Sequence, residues 1–248
     1  MFDLSGRVAL VTGAGQNVGA GIASLLASRG AAVVVNDLVE ERANAVAEQL
    51  ARAGGKAVAA AFDVTDAAAV AAGVASAQGS LGPVDVLVNN AGVPVGMGVA
   101  QFREMDVSEW QRYVDLNLYG VLHCAKAVID GMCQRGWGRV ITISSEAGRT
   151  GIPIGISAYG AGKGGALAFM RHLAMEVASF GVTANSLTLG LMDHAGDEEF
   201  TRAIAKTIPV GRAGCSADVG AAVVWLASQE ASWVTGQTIG INGGSVTS

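Results

Sequence analysis

Short apolar runs, each separated from the next by a longer Ala- and Leu-rich stretch, recur along this 248-residue chain and constrain its fold more than any other feature. They fall at Val8–Val11, Ala32–Val35, Lys56–Phe62, Val84–Val88, Arg139–Ile143, Val182–Leu187 and Thr238–Ile241. The stretches between them have helical composition: one runs to Arg29, one from Val39 to Ala53, and others span about 66–79, 107–135, 157–180 and 216–228. Strands apolar at nearly every position, instead of every second one, are expected where helices cover both faces of a parallel sheet. The reading is therefore α/β, a doubly wound parallel sheet in three α/β/α layers. No Pro- or Ser-rich linker interrupts the alternation, so one domain over residues 1–248 is expected. Residues 192–213 stand outside the rhythm. There Asp197, Glu198 and Glu199 precede Phe200, as in a short helix that opens on acids, and the stretch reads as a cover over a site.

With 51% hydrophobic and 15% charged residues, the chain is too apolar for disorder. A net charge of -5 and no run of Lys or Arg give a polyanion nothing to neutralise, so no nucleic-acid partner is expected. The mean hydropathy of +0.42 comes from Gly, Ala and Val spread along the chain, and no membrane span is expected. Asp3 stands where a secretory signal needs basic residues, so a cytoplasmic location is expected. Cys124, Cys133 and Cys215 are odd in number and lack metal-ligand spacing, which reads as reduced thiols. His123, His172 and His194 share no metal spacing either, so no metal is expected; Trp110, Trp137, Trp225 and Trp233 read as packing or interface residues.

The first run leads into Thr12-Gly13-Ala14-Gly15-Gln16-Asn17-Val18-Gly19 and then a helix, where backbone N–H groups and the helix N-terminus can hold a dinucleotide pyrophosphate. Such glycines alone also fit a tight turn with close helix–strand packing. Asp37, which closes the second run, adds the acid that accepts ribose hydroxyls and repels a 2′-phosphate. No Arg or Lys lies at 14–18 or 36–38, so NAD is favoured over NADP.

Tyr159 and Lys163 are four residues apart in a helical stretch and share one face. A cation beside a phenol favours the phenolate, and lowering an ordinary pKa of about 10 by two or three units takes roughly 3–4 kcal/mol of differential interaction. The pair alone would fit an exposed helix as well. Ser144-Ser145 ends the fifth run upstream, and Asn117 lies in the preceding helical stretch.

Together these residues resemble the classical short-chain dehydrogenase/reductase family over the whole chain. Thr12, Gly13 and Gly19 match its TGxxxGxG turn, Asn89-Asn90-Ala91-Gly92 its NNAG, and Tyr159 with Lys163 its YxxxK. The resemblance implies a Rossmann-type fold. It assigns Ser145 to polarise a substrate carbonyl, Tyr159 to act as general acid/base, and Lys163 to lower the tyrosine pKa while bonding the nicotinamide ribose. Asn117 then holds a proton-relaying water. Ser145 precedes Tyr159 by 14 positions, one more than the commonest family spacing; the Glu146-Ala147-Gly148 that follows assigns it, with Ser144 the weaker candidate. For the cofactor the resemblance implies Gly13, Gln16, Asn17, Val18, Gly19, Asp37, Leu38, Asp63, Val64, Asn90, Ala91, Gly92, Gly190 and Met192, besides Tyr159 and Lys163. Asp63 would contact the adenine amino group, or serve as a turn residue ahead of the next helix.

Three departures bear on the site. Asn17 replaces the middle glycine, and Asn is the residue other than Gly that best tolerates a left-handed backbone. Leu189 stands for a Pro, and Met192 for a Thr that bonds the carboxamide. Glu146 follows Ser145 where apolar residues are common, and is read as facing solvent, pairing with Arg149, or touching a polar substrate group. Val93, Pro94, Met97, Ile152, Pro153, Ile154, Leu191 and Met192 would line a mostly apolar pocket, with His194 in the cover, which suggests a hydrophobic or cyclic substrate.

The expected function is hydride transfer between NAD(H) and a secondary alcohol or ketone. A 3-oxoacyl-thioester reductase, of a carrier protein or of CoA, is the alternative, suggested by Ile208–Arg212 and the C-terminal segment. Against it stand Asp37 and the loss of basic docking residues at Gly136 and Met175. A non-catalytic dinucleotide sensor is a remote third. The long stretches at 107–135 and 157–180 and the last strand resemble the family's interface elements, so a homotetramer is implied.

Overall fold

The computed structural model describes residues 1–94, 96–194 and 198–247. Seven strands form one parallel sheet: β1 (Val8–Val11), β2 (Ala32–Asp37), β3 (Ala57–Ala61), β4 (Val86–Asn89), β5 (Gly138–Ser145), β6 (Val182–Leu189) and β7 (Thr238–Ile241). Their order is β3-β2-β1-β4-β5-β6-β7, all parallel. The chain reverses its winding between β1 and β4, so a crevice opens beyond the carboxyl ends of those strands.

Alternate residues of each strand serve opposite cores. Ala9, Val11, Val33 and Val35 pack under α1 (Asn17–Ser28), α2 (Glu40–Arg52) and α8 (Ser216–Ala227). Val8, Leu10 and Val34 pack under α3 (Ala67–Leu81), α5 (Gly120–Arg135) and α6 (Ser157–Val177). This double burial produces the continuous apolar runs.

Three expectations shift. β4 begins at Val86, although Asp85 already bonds both neighbours, its amide donating to the Val8 carbonyl and its carbonyl accepting from the Arg139 amide, while its carboxylate also takes the Val8 N–H. β5 and β6 extend to Ser145 and Leu189, since Ser144 and Ser145 pair with Thr188 and Leu189 in register and polar residues carry the ladder as well as apolar ones. The helical stretch at 107–135 is not continuous. After α4 (Trp110–Val114) the backbone passes through a π-helical turn at Asp115–Tyr119 before α5 begins. Asn117 sits in that turn. π-turns inside helices collect at functional sites.

Within 192–213 lies α7 (Glu198–Ala205), so a short helix does open on acids, although Asp197 itself lies outside the described residues. Trp137 is sandwiched between the guanidinium groups of Arg7 and Arg139, 3.6 and 4.3 Å from its ring centroid. Trp110 stacks on Phe102, whereas Trp233 is 99% exposed. Among the described residues no helix is long and apolar enough to cross a membrane, and no group of three His, Cys, Asp or Glu side chains could hold a metal.

Candidate active site

The turn after β1 is built to leave amides unspent. Asn17 takes a positive φ of 48°, the left-handed conformation that an asparagine tolerates. Gln16 provides no side-chain cap for α1, and no described acceptor takes the N–H groups of Asn17, Val18 or Gly19. Donors left over at a helix N-terminus suit an anion such as a pyrophosphate. Thr12 and Asn90 hold this turn against β4. The Thr12 hydroxyl accepts from the Asn90 and Ala91 amides at 3.0 and 3.1 Å, and Asn90 Nδ2 donates to the Thr12 and Gly13 carbonyls at 2.9 and 3.1 Å. Asn36, which no sequence motif marks, donates to the Ala60 and Phe62 carbonyls and accepts from the Gly13 amide.

A side chain at Gly19 would strike the Gly13 carbonyl, and its Cβ would lie 2.6 Å from Asn90 Nδ2. Gly19→Ala is expected to cost about 1–3 kcal/mol through overpacking and to abolish dinucleotide binding, checked by thermal unfolding and NADH fluorescence titration.

Asp37 is buried at the end of β2, where Oδ2 accepts from the Gly15 amide at 3.1 Å and Oδ1 from the Val39 amide at 3.0 Å. Arg42 from the first turn of α2 lies 3.2 Å from Oδ1. The sequence windows around the turn contained no basic residue, but the helix brings one in. Leu38 beside it is exposed. Asp63 accepts from the amide and hydroxyl of Thr65, both at 2.8 Å, while Asp66 caps α3, so the turn-residue reading describes Asp63 in this structure. Val64 is buried, its carbonyl 3.0 Å from His123 Nδ1.

The chemistry-bearing side chains converge where β5, the π-turn and α6 meet. Lys163 is buried and donates from Nζ to the Ile143 carbonyl at 2.8 Å, with Nζ 5.8 Å from the Tyr159 ring centroid. A Cβ on Gly92 would strike that Nζ and lie 3.0 Å from Asn117 Oδ1, so Gly92, Lys163 and Asn117 share one small volume. Asn117 Nδ2 donates to the Tyr113 carbonyl at 3.0 Å, and its Oδ1 is buried without a partner. An orphaned acceptor of this kind calls for a water or ligand donor.

Structure separates the two serines. Ser144 Oγ donates to the Lys163 carbonyl, a bond into the helix backbone, whereas Ser145 Oγ accepts from the Ala147 amide at 3.2 Å and hydrogen-bonds Tyr159. Ser145→Ala is expected to lower kcat by about 10²-fold or more, the scale of losing a positioned donor, and Ser144→Ala by less than about threefold, measured as steady-state turnover.

The electrostatics differ from the expectation drawn from spacing. Burial raises the Tyr159 phenol above its ordinary value, with only the Ser145 hydrogen bond pulling against it. Burial also lowers the Lys163 ammonium to about 8. The cation is spent on the Ile143 carbonyl, and desolvation dominates both groups.

Other expected site residues divide. Gly190 donates its amide to the Ile241 carbonyl at the end of β6. The Met192 side chain belongs to the core and packs on Gly214, which leaves its backbone groups to meet a carboxamide. Val93 and Ile154 are exposed, Met97 and Leu191 half-buried, and His194 is exposed with Nδ1 3.3 Å from Asp193. Glu146 does not face solvent. It is 3% exposed, with Oε1 accepting from Thr188 Oγ1 at 2.9 Å and Asn242 Nδ2 at 2.8 Å and lying 3.9 Å from Arg149. A cavity of about 520 Å³ lies beside this end of α6, lined by Gln101, Phe102, Gly148, Ile152, Pro153 and Gly160 among others.

The short chain dehydrogenase family model matches residues 7–204. The chain is 36% identical over 247 residues to a 3-oxoacyl-(acyl-carrier-protein) reductase, FabG, of Vibrio harveyi, with 98% of each chain covered. It is 39% identical over 246 residues to nodulation protein G of Azospirillum brasilense, covering 97% of this chain and 98% of that protein. The crystal structure of a 3-oxoacyl-(acyl-carrier protein) reductase with bound NAD from Brucella melitensis superposes with a TM-score of 0.92 at 35% identity, covering 100% of this chain and 94% of that one.

Proposed function

The chain belongs to the short-chain dehydrogenase family of oxidoreductases, and from that premise we propose that it interconverts a hydrophobic secondary alcohol and its ketone with NAD(H). The single observation that carries this reading is the convergence of Ser145, Tyr159, Lys163 and Asn117 beside a turn whose helix amides have no protein acceptor. NAD supplies the hydride acceptor when bound. The amides of Asn17, Val18 and Gly19 would hold its pyrophosphate, Asp37 its adenosine ribose, and the Gly92–Lys163 edge its other ribose.

The protein's own contribution is the proton and the orientation. Ser145 Oγ donates to the substrate oxygen and fixes it against Tyr159. In oxidation the Tyr159 phenolate oxygen takes the hydroxyl proton; in reduction the phenol returns it. Asn117 Oδ1, lacking a protein donor, holds the water through which that proton passes toward Lys163 and solvent. With the phenol raised by burial, the oxidative rate should climb through the alkaline range, because the base form dominates only there.

A 3-oxoacyl-thioester reductase is the second reading, favoured by the activity for which the Vibrio harveyi and Brucella melitensis relatives are named. The test is reduced-nicotinamide absorbance on a panel of cyclic, aromatic and aliphatic secondary alcohols, their ketones and 3-oxoacyl thioesters, with NAD(H) and NADP(H) each supplied. Turnover of free alcohols or ketones with NAD(H) supports the proposal; turnover confined to thioesters replaces it with the second reading. We also propose a homotetramer that uses the α5 and α6 faces and the edge strand β7, to be read from light scattering.

A further inference from the structure

We infer that Arg42 sets the dinucleotide selectivity of this chain, and that by neutralising Asp37 it admits the 2′-phosphate of NADP beside the 2′-hydroxyl of NAD. The inference deepens the proposed function and rests on its dinucleotide reading.

An acid at the end of the second strand discriminates against a 2′-phosphate because two like charges would share one small volume. That argument assumes an unpaired carboxylate, and here the carboxylate is paired. Asp37 Oδ1 lies 3.2 Å from Arg42 Nη2, and its two oxygens also accept from the Val39 and Gly15 amides. The guanidinium is not consumed by this contact. Its Nε is buried without a partner, but the side chain is 36% exposed, so the donors with access to a ligand are those of its terminal Nη groups. An arginine with spare donors is the side chain best suited to a phosphate, which it can meet with two parallel N–H bonds.

The approach depends on Gly15. A Cβ there would lie 2.6 Å from Asp37 Oδ2 and 2.7 Å from Arg42 Cβ, so only glycine lets α2 bring its first turn against the phosphate-binding turn. A group anchored on Asp37 therefore meets a locally neutral pair with spare donors, not a lone anion.

The test is NADH and NADPH binding to the full chain by fluorescence titration, with no substrate present. Wild type is expected to bind the two within about tenfold of each other. In Arg42→Ala the NADPH/NADH affinity ratio should fall by on the order of tenfold or more, the scale of one charge-assisted hydrogen bond to phosphate, while Arg42→Lys recovers part of it. Asp37→Asn should move the ratio the other way. Raising salt should weaken NADPH more than NADH in wild type and equalise the salt response in Arg42→Ala. An unchanged ratio in a folded Arg42→Ala overturns the inference alone. If wild type binds neither dinucleotide, the dinucleotide reading fails and takes this one with it.

Discussion

Tyr159→Phe is expected to lower turnover by about 10²–10⁴-fold, the range over which a positioned general acid/base contributes, with NADH affinity changed by less than about twofold. The phenol oxygen is the only part removed, and the ring that lies 5.8 Å from Lys163 Nζ stays. Ser145 loses its partner across the site, so the residual rate should also lose its alkaline rise. The pH profile of kcat/KM in the variant, beside wild type, separates this outcome from a loss of folding. Retention of both the rate and the alkaline limb would remove Tyr159 from the mechanism.

Lys163→Met carries the second large effect, and it acts in opposite directions on activity and stability. Turnover should fall by about 10²-fold or more, because the cation beside the phenol and the proton path through Asn117 are both lost. Stability should rise at neutral pH. Burial lowers the lysine to about 8 from an ordinary 10.5, so keeping it charged costs roughly 3 kcal/mol below pH 8. The lost hydrogen bond to the Ile143 carbonyl returns about 1 kcal/mol of that. Between about pH 8 and 10.5 the unfolded wild-type chain holds a proton that the native chain has released, so wild-type stability climbs with pH through that window. The gain of the variant should therefore be full near pH 7 and disappear above about pH 10.5. Denaturant unfolding of both proteins at several pH values reads it directly. A variant less stable than wild type at pH 7 would show that the buried ammonium is held more favourably than its desolvation implies.

Much of the fold was legible because double burial writes itself into the sequence as unbroken apolar runs. Val33, Val34 and Val35 are adjacent in the chain yet belong to cores on opposite faces. The ends of the strands were less legible. Ser144, Ser145 and Thr188 continue the ladder with hydroxyl residues that no hydrophobic pattern marks. The π-turn holding Asn117 was invisible because its residues have ordinary helical composition, and so was the close approach of α6 to it, where a Cβ on Gly162 would lie 3.0 Å from Asn117 Cβ.

At the site, the structure places Ser145, Tyr159, Lys163 and Asn117, which the family resemblance grouped, in one neighbourhood where burial dominates the electrostatics. Spacing says that a cation is near a phenol; it does not say that burial outweighs the pair. Arg42 escaped because it is five residues beyond Asp37 and reaches it through the first turn of a helix, outside a window centred on the strand end. For Glu146 the pairing with nearby Arg149 was legible, at 3.9 Å in the structure, whereas its hydrogen-bond partners Thr188 and Asn242 were not, since they are 42 and 96 positions away.

That last contact has a practical side. Asn242 Nδ2 reaches both the Glu146 carboxylate and the Val246 carbonyl, so the final residues of the chain are tied to the turn that follows Ser145. Any change that displaces residues 242–246 therefore pulls on the same hydrogen bonds that steady the turn beside the serine, although they are far from it in the chain.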